Sequence, residues 1–126
     1  MRLPSSLSLV ALLLLAAPAF GAVHLDRLAL PKGFHVAVYS DQVPNAREIA
    51  LGAKGTVFVG SMDAGKVYAL ADTRHDGHAD KVRVLASGLE MPVGVAFRDG
   101  NLYISTFGFG FPPGAGQIVR VTLPSD

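Results

Sequence analysis

The chain has 126 residues and a mass of 13.2 kDa, which is enough for one small domain. Half of its residues are hydrophobic and 17% are charged, a composition that excludes an intrinsically disordered segment. The net charge is +1 with no stripe of Lys or Arg, so we expect no nucleic-acid partner. The lack of Cys excludes disulfides, thiolate metal sites and a cysteine nucleophile.

The first 21 residues have the pattern of a secretory signal peptide. Arg2 gives a positive start, residues 7–17 form an uncharged run, and Ala17, Ala19 and Gly21 offer small residues for cleavage. A membrane anchor is the alternative, but a spanning helix needs about 20 apolar residues, more than this run contains. We therefore predict a signal peptide at 1–21, a mature domain at 22–126 with no stable membrane anchor, and a periplasmic or secreted destination.

The mature chain reads as short β-strands separated by turns rich in Gly and Asp. Segments rich in Val, Ile, Leu, Phe and Tyr alternate with these turns, and no window has the period of a helix. The predicted strands cover residues 35–39, 48–51, 56–60, 66–70, 81–86, 93–97, 101–105 and 117–122. The sequence therefore predicts an all-β fold.

The predicted strands also repeat along the chain. Residues 35–39 match 81–85 and 49–51 match 95–97 at a shift of 46, 55–59 match 100–104 at 45, and 65–70 match 116–121 at 51. Four strands in a unit of about 45 residues are typical of a β-propeller blade. Residues 35–39 match the last strand of a blade, as expected where a propeller closes its ring with a strand from the other terminus. The alternative is an ordinary antiparallel sheet with accidental similarity.

The sequence contains fewer repeats than a closed propeller needs. A propeller closes with about four to eight blades, whereas this sequence holds about two four-stranded blades and one further strand. Two repeats leave apolar faces uncovered, because each repeat is buried only against its neighbours. We expect a truncated, N-terminal part of a probable six-bladed ring, with the rest beyond Asp126; assembly of several copies is the alternative. The chain alone should be poorly soluble or self-associate.

An ordered set of motifs extends from residue 30 to residue 105. It includes LPKGFHV at 30–36, VPNAR at 43–47, GTVFVG at 55–60, AGKVYAL at 64–70, DGHAD at 76–80 and GLEMP at 88–92. In this order the motifs resemble the opening of the sorbosone dehydrogenase family, which is similar to the soluble glucose dehydrogenases that use pyrroloquinoline quinone (PQQ). The resemblance implies a six-bladed periplasmic propeller that oxidises a sugar or sugar aldehyde and passes two electrons to PQQ.

The resemblance also limits what this segment can contribute to catalysis. In the family, a histidine base takes the proton of the substrate hydroxyl while hydride goes to the quinone, and that histidine lies in a later blade. The catalytic residues are therefore unknown here and expected beyond Asp126. None of the chain's four histidines matches the family's catalytic motif: His24, His35, His75 and His78. Val93 stands where the family often has Asn, and Met62 near the position of an Arg.

Arg47 is the cofactor-binding residue that we predict. It directly precedes a predicted inner strand, and in propellers the loops that enter inner strands line the central channel. A guanidinium group there could bind a carboxylate of PQQ in a bidentate manner. The alternative is a surface arginine, or an ion pair with Glu48 or Asp63.

Asp72, Asp76 and Asp80 form an incomplete version of a calcium-binding loop. Calcium takes about six to eight oxygen ligands, but Arg74 occupies a ligand position and the Glu expected later is missing. We therefore predict a polar hairpin loop and no metal site, with calcium as the alternative. His75 and His78 in the same loop could ligate a transition metal, although polar residues of an exposed loop give the same pattern.

Three phenylalanines and four glycines in residues 107–116 predict an aromatic loop, which is either a lid or substrate wall or a packed loop between blades.

The sequence as a whole favours part of an exported PQQ-dependent sugar dehydrogenase. We expect this part of the protein to be inactive by itself. One alternative is a non-catalytic propeller of the NHL type that serves as a binding module. The other is a gluconolactonase-like hydrolase with a metal in its channel.

Overall fold

The computed structural model describes residues 23–108 and 116–124, and regular structure there consists of seven β-strands and one 3₁₀ turn. The predicted signal peptide at 1–21 lies outside the described residues. No α-helix occurs in the described ranges, so the all-β prediction is confirmed. No helix within them is long and apolar enough to cross a membrane.

The strands form two antiparallel sheets, each in chain order. The first sheet contains β1 (Ala46–Leu51), β2 (Val57–Ser61), β3 (Val67–Ala71) and β4 (Lys81–Ala86). The second contains β5 (Pro92–Arg98), β6 (Asn101–Thr106) and β7 (Ile118–Thr122). The seven predicted strands from residue 48 onward are therefore confirmed, with ends that differ by at most two residues.

The predicted strand at residues 35–39 is wrong. Residues 34–38 have no regular structure, and the segment contacts its surroundings through single hydrogen bonds instead of a ladder. The amide of Ala79 donates to the Tyr39 carbonyl at 2.8 Å, and the Val38 carbonyl lies 2.8 Å from Nδ1 of His78. Both partners belong to the loop after β3, and the segment forms no ladder with any of the described strands.

The repeat seen in the sequence recurs in the pairing of the strands. Leu51 lies opposite Val57 in the first sheet, and the residues 46 and 45 positions later, Phe97 and Leu102, lie opposite each other in the second. The pairs between the second and third strands of the two sheets correspond in the same way, at shifts of 45 and 51. Strands β1 to β3 and strands β5 to β7 therefore correspond residue by residue, and the length difference falls between β6 and β7.

The entrance to the first strand of each sheet has the same unusual backbone. Asn45 and Met91, which are 46 residues apart, both have positive φ, at 55° and 42°. Their carbonyl groups accept hydrogen bonds from the amides of Met62 and Phe107, at 3.3 and 3.2 Å. A break in the register, of the kind a β-bulge produces, follows at the start of both strands.

Opposite faces of the two sheets meet to form the core. The first sheet contributes its Phe58 face, with Ala50 and Ala69 beside that ring. The second sheet contributes its Leu102 face, where Leu102 and Ile104 are completely buried. The chain divides into the units Met1–His35 and Val36–Asp126, and both sheets belong to the second unit.

Candidate functional site

The two sheets have a common end at which β1 and β5 begin, which we call the entry end. The antiparallel pairing also places there the ends of β2 and β6 and the starts of β3 and β7. The entry end is formed by residues 45–48, 61–66, 89–94 and 105–108. The turns at residues 52–55 and 99–100 and the β3–β4 loop lie at the opposite end, which we call the far end.

Glycines allow the backbones of the two sheets to approach closely at the entry end. A Cβ atom at Gly60 would lie 2.7 Å from the carbonyl oxygen of Val93, so only glycine fits against the start of β5. A Cβ atom at Gly94 would lie 2.6 Å from Oγ of Ser105 and 3.4 Å from a carboxylate oxygen of Glu48. The Glu48 carboxylate therefore reaches the space between the two sheets.

Arg47 stands at the entry end with an exposed side chain. Its guanidinium forms no hydrogen bond or ion pair with any residue in 23–108 or 116–124, and the alternative pairing with Glu48 or Asp63 is not observed there. The positive φ of Asn45 and the bulge after Ala46 set the direction in which the chain enters β1. Arg47 is thus placed where an anion could reach it from solvent.

The loop between β3 and β4 uses its aspartates to hold its own backbone. The Asp72 carboxylate accepts hydrogen bonds from the amides of Asp76, at 3.2 Å, and Gly77, at 2.8 Å. The Asp80 carboxylate accepts from the amide and the hydroxyl of Thr73. These bonds hold the residues between β3 and β4 in a polar hairpin loop.

Arg74 and the histidines complete that loop. The Nε atom of Arg74 lies 3.3 Å from one carboxylate oxygen of Asp76, and the other oxygen of that carboxylate accepts a hydrogen bond from the His78 amide at 3.1 Å. Within the described parts of the chain, no three His, Asp or Glu side chains are grouped as metal ligands. The loop lies at the far end of the first sheet, so Arg47 and the Asp72, Asp76 and Asp80 carboxylates belong to separate places.

The charges of this loop affect three titratable groups. Partial desolvation raises the pKa of Asp72, but the amides of Gly77, Asp76 and His75 together lower it below its usual value. The hydroxyl and then the amide of Thr73 lower the pKa of Asp80. Desolvation, followed by the negative charges of Asp72 and Asp80, raises the pKa of Tyr39. These surroundings therefore favour the charged forms of Asp72 and Asp80 and the neutral form of Tyr39.

A cleft of about 790 Å³ opens between the sheets at the far end. The rings of Phe58 and Phe97 stack there with centroids 6.1 Å apart and planes at 13°. Arg83 and Lys54 add cationic groups to the lining. Sequence reasoning missed this cleft because Phe58 and Phe97 are not equivalent in the repeat, and only the packing of one sheet on the other brings their rings together.

The predicted aromatic loop at 107–116 is described only at its ends. Phe107 is 54% exposed, and its amide donates to the carbonyl groups of Glu90 and Met91, both at 3.2 Å. The amide of Thr106 donates to the Gln117 carbonyl at 2.9 Å, which brings the two ends of the loop together. Residues 109–115 lie outside the described residues, and the two described ends of the loop lie at the entry end.

Comparison with family models, with curated proteins and with solved structures found no match for this chain.

Proposed function

We propose that the two sheets are adjacent blades of an exported β-propeller, and that this propeller is a PQQ-dependent sugar or aldose dehydrogenase. The observation that supports the blade arrangement is the residue-by-residue equivalence of two antiparallel sheets that pack face to face. Accidental similarity would not reproduce the pairing, the register break and the positive φ at matching positions. In a ring of such blades, β1 and β5 are the inner strands and the entry end faces the channel opening.

The proposed contact with PQQ is made by Arg47. PQQ carries carboxylates on a flat ring system, and a guanidinium group binds a carboxylate through two parallel hydrogen bonds. The exposed Arg47 side chain suits this role because no described residue already occupies it. Glu48 beside it reaches between the sheets and does not neutralise it through an ion pair in the described structure. When bound, PQQ would accept the two electrons of the oxidation.

The first alternative is a non-catalytic propeller that serves as a binding module, which needs no general base. Sugar oxidation requires a base within reach of the substrate hydroxyl. His75 and His78 lie in the β3–β4 loop at the far end, and the entry end of the described structure contains no imidazole. The general base of a dehydrogenase would therefore have to come from another blade. A gluconolactonase-like hydrolase is the second alternative, and its metal ligands, like the general base of a dehydrogenase, would have to come from inner strands of other blades as well.

PQQ-dependent dye reduction with a panel of aldoses and sorbosone tests the dehydrogenase proposal. We expect activity in protein whose ring of blades is complete, and neither tight PQQ binding nor turnover in the separate 126-residue chain. A channel cofactor is enclosed by the inner strands of every blade, whereas this chain supplies β1 and β5. Inactivity of the complete ring with PQQ across the whole panel would refute the dehydrogenase and leave the binding module.

The Arg47→Ala variant tests the proposed contact. Removing one charge-assisted interaction should weaken PQQ binding to the complete ring by about 1–3 kcal/mol. Arg98→Ala is the matched control, because Arg98 lies at the far end of β5, where its Nε is 3.2 Å from an Asp99 carboxylate oxygen. Equal weakening by the two variants would show that Arg47 acts through net charge and not through contact.

A further inference from the structure

Two Asp-Gly sequences lie at the far end, and the structure holds their reacting groups differently. Asp76 and Gly77 belong to the β3–β4 loop, whereas Asp99 and Gly100 form the two-residue turn between β5 and β6. Asp-Gly is the sequence in which aspartate isomerises most readily, because glycine has no side chain to hinder attack by its amide nitrogen. Whether the reaction occurs in a folded chain depends on how firmly that amide and the aspartate carboxyl group are held.

The reacting groups of Asp76 and Gly77 are both restrained. The Gly77 amide donates to an Asp72 carboxylate oxygen at 2.8 Å, so its nitrogen cannot turn toward the Asp76 side chain without losing that bond. One oxygen of the Asp76 carboxylate accepts from the His78 amide at 3.1 Å, and the other lies 3.3 Å from Nε of Arg74. The loop therefore opposes the reaction at the nucleophile and at the carboxyl group.

The reacting groups of Asp99 and Gly100 are held much less. The Gly100 amide donates no hydrogen bond to any residue in 23–108 or 116–124. The Asp99 side chain is 85% exposed, and its carboxylate contacts Nε of Arg98, at 3.2 Å, on the surface. Both turn residues have positive φ, at 48° and 72°, as in the type I′ turns that join β-hairpins. Solvent therefore reaches the carboxyl group and the amide together.

We propose that Asp99 is a site of spontaneous isomerisation to isoaspartate in the folded chain, and that Asp76 is protected from the same reaction. The Gly100 nitrogen attacks Cγ of the protonated Asp99 carboxyl group. A C–N bond forms, the nitrogen loses its proton, and one carboxyl oxygen leaves as water. Water then opens the succinimide at either carbonyl carbon, which gives aspartate or isoaspartate. Nothing is oxidised or reduced, and the mass of the chain does not change.

Isoaspartate changes the turn because it places one additional methylene group in the main chain. Arg98 pairs with Asn101 across the turn, and the Gly100 carbonyl accepts a hydrogen bond from the Leu123 amide at 2.9 Å. The longer connection no longer fits this pairing, so we expect the Leu123 amide to exchange its hydrogen faster in the modified chain. This inference does not depend on the blade arrangement, on PQQ or on any substrate.

Incubation of the folded chain at mildly acidic pH, below its unfolding temperature, tests the proposal. Protein isoaspartate methyltransferase with labelled S-adenosylmethionine counts the isoaspartyl groups, and electron-transfer fragmentation of peptides locates them. We expect about tenfold more isoaspartate at residue 99 than at residue 76, the ratio that one hydrogen bond to a charged acceptor supports. Equal extents at the two positions, or no isoaspartate at residue 99, would overturn the proposal.

The unfolded chain and one variant are the controls. In urea neither amide is held, so Asp76 and Asp99 should isomerise at similar rates; the same preference for Asp99 as in the folded chain would show that the fold does not cause it. Asp72→Ala frees the Gly77 amide, and isoaspartate at residue 76 should then rise by about tenfold while that at residue 99 stays unchanged. No rise in a variant that retains its β-sheet circular dichroism spectrum would refute the protection by Asp72.

Discussion

The hydroxyl of Ser61 joins β2 to the start of β3 and is the contact whose removal is easiest to interpret. Ser61 is completely buried, and its Oγ donates to the Lys66 carbonyl at 2.6 Å and accepts from the Lys66 amide at 3.1 Å. Thr106 occupies the equivalent position in the second sheet and contacts Gln117 in the same way, at 3.4 and 3.2 Å. The repeat therefore supplies a matched pair that differs in burial.

The Ser61→Ala substitution should lower the free energy of unfolding by about 1–3 kcal/mol. The Lys66 amide loses its acceptor, and because Ser61 is completely buried, no water can take the place of the hydroxyl. Thr106→Val removes the same hydroxyl at a partly exposed site, where water replaces it, and should cost less than about 0.5 kcal/mol.

Urea denaturation followed by circular dichroism at one fixed protein concentration measures both values, since self-association makes stability depend on concentration. Equal costs for the two substitutions, or a cost below about 0.5 kcal/mol for Ser61→Ala, would show that water replaces the Ser61 hydroxyl as the acceptor of the Lys66 amide.

Two further predictions concern the core and the β3–β4 loop. Leu102→Ala should destabilise the fold by about 2–5 kcal/mol in the same assay, because Leu102 is fully buried between the sheets, whereas Leu28→Ala, at a position that is 51% exposed and outside both sheets, should change stability by less than about 0.5 kcal/mol; similar costs would contradict the packing. Asp80 has a lowered pKa in the folded state, so its contribution to stability is present above its ordinary pKa and is lost as pH falls through the lowered folded value. An NMR titration of the Asp80 carboxyl should show its pKa rising toward the ordinary value in Thr73→Val, and no change would show that the hydroxyl does not set it.

The sequence allowed the strands and their repeat to be predicted because both depend on local patterns. Alternating apolar residues and Gly- or Asp-containing turns indicated β1 to β7, and the shifts of 46, 45 and 51 found in the sequence recur between the residue pairs of the two sheets. The strand predicted at residues 35–39 was wrong because that prediction also depended on a local pattern. They have the pattern of an outer strand, but a ladder needs a neighbouring edge, and the sequence of one segment does not specify whether that edge is present.

The candidate site could be predicted only in part. The sequence placed Arg47 at the start of a strand, which is β1 in the structure, whereas the predicted contact of Arg47 with PQQ stays a prediction. The stacked pair Phe58 and Phe97, and the approach of Glu48 to Gly94, depend on how one sheet packs on the other. Contacts between residues about 40 positions apart in different sheets leave no periodic pattern, so sequence reasoning could not find them.

Native mass spectrometry of the chain tests most directly whether the two sheets are propeller blades. Two repeats expose apolar faces that a ring of blades would cover, so the separate 126-residue chain should self-associate. We predict species larger than a monomer in the native mass spectrum. A monomer at every concentration, with a cooperative unfolding transition, would contradict the blade arrangement.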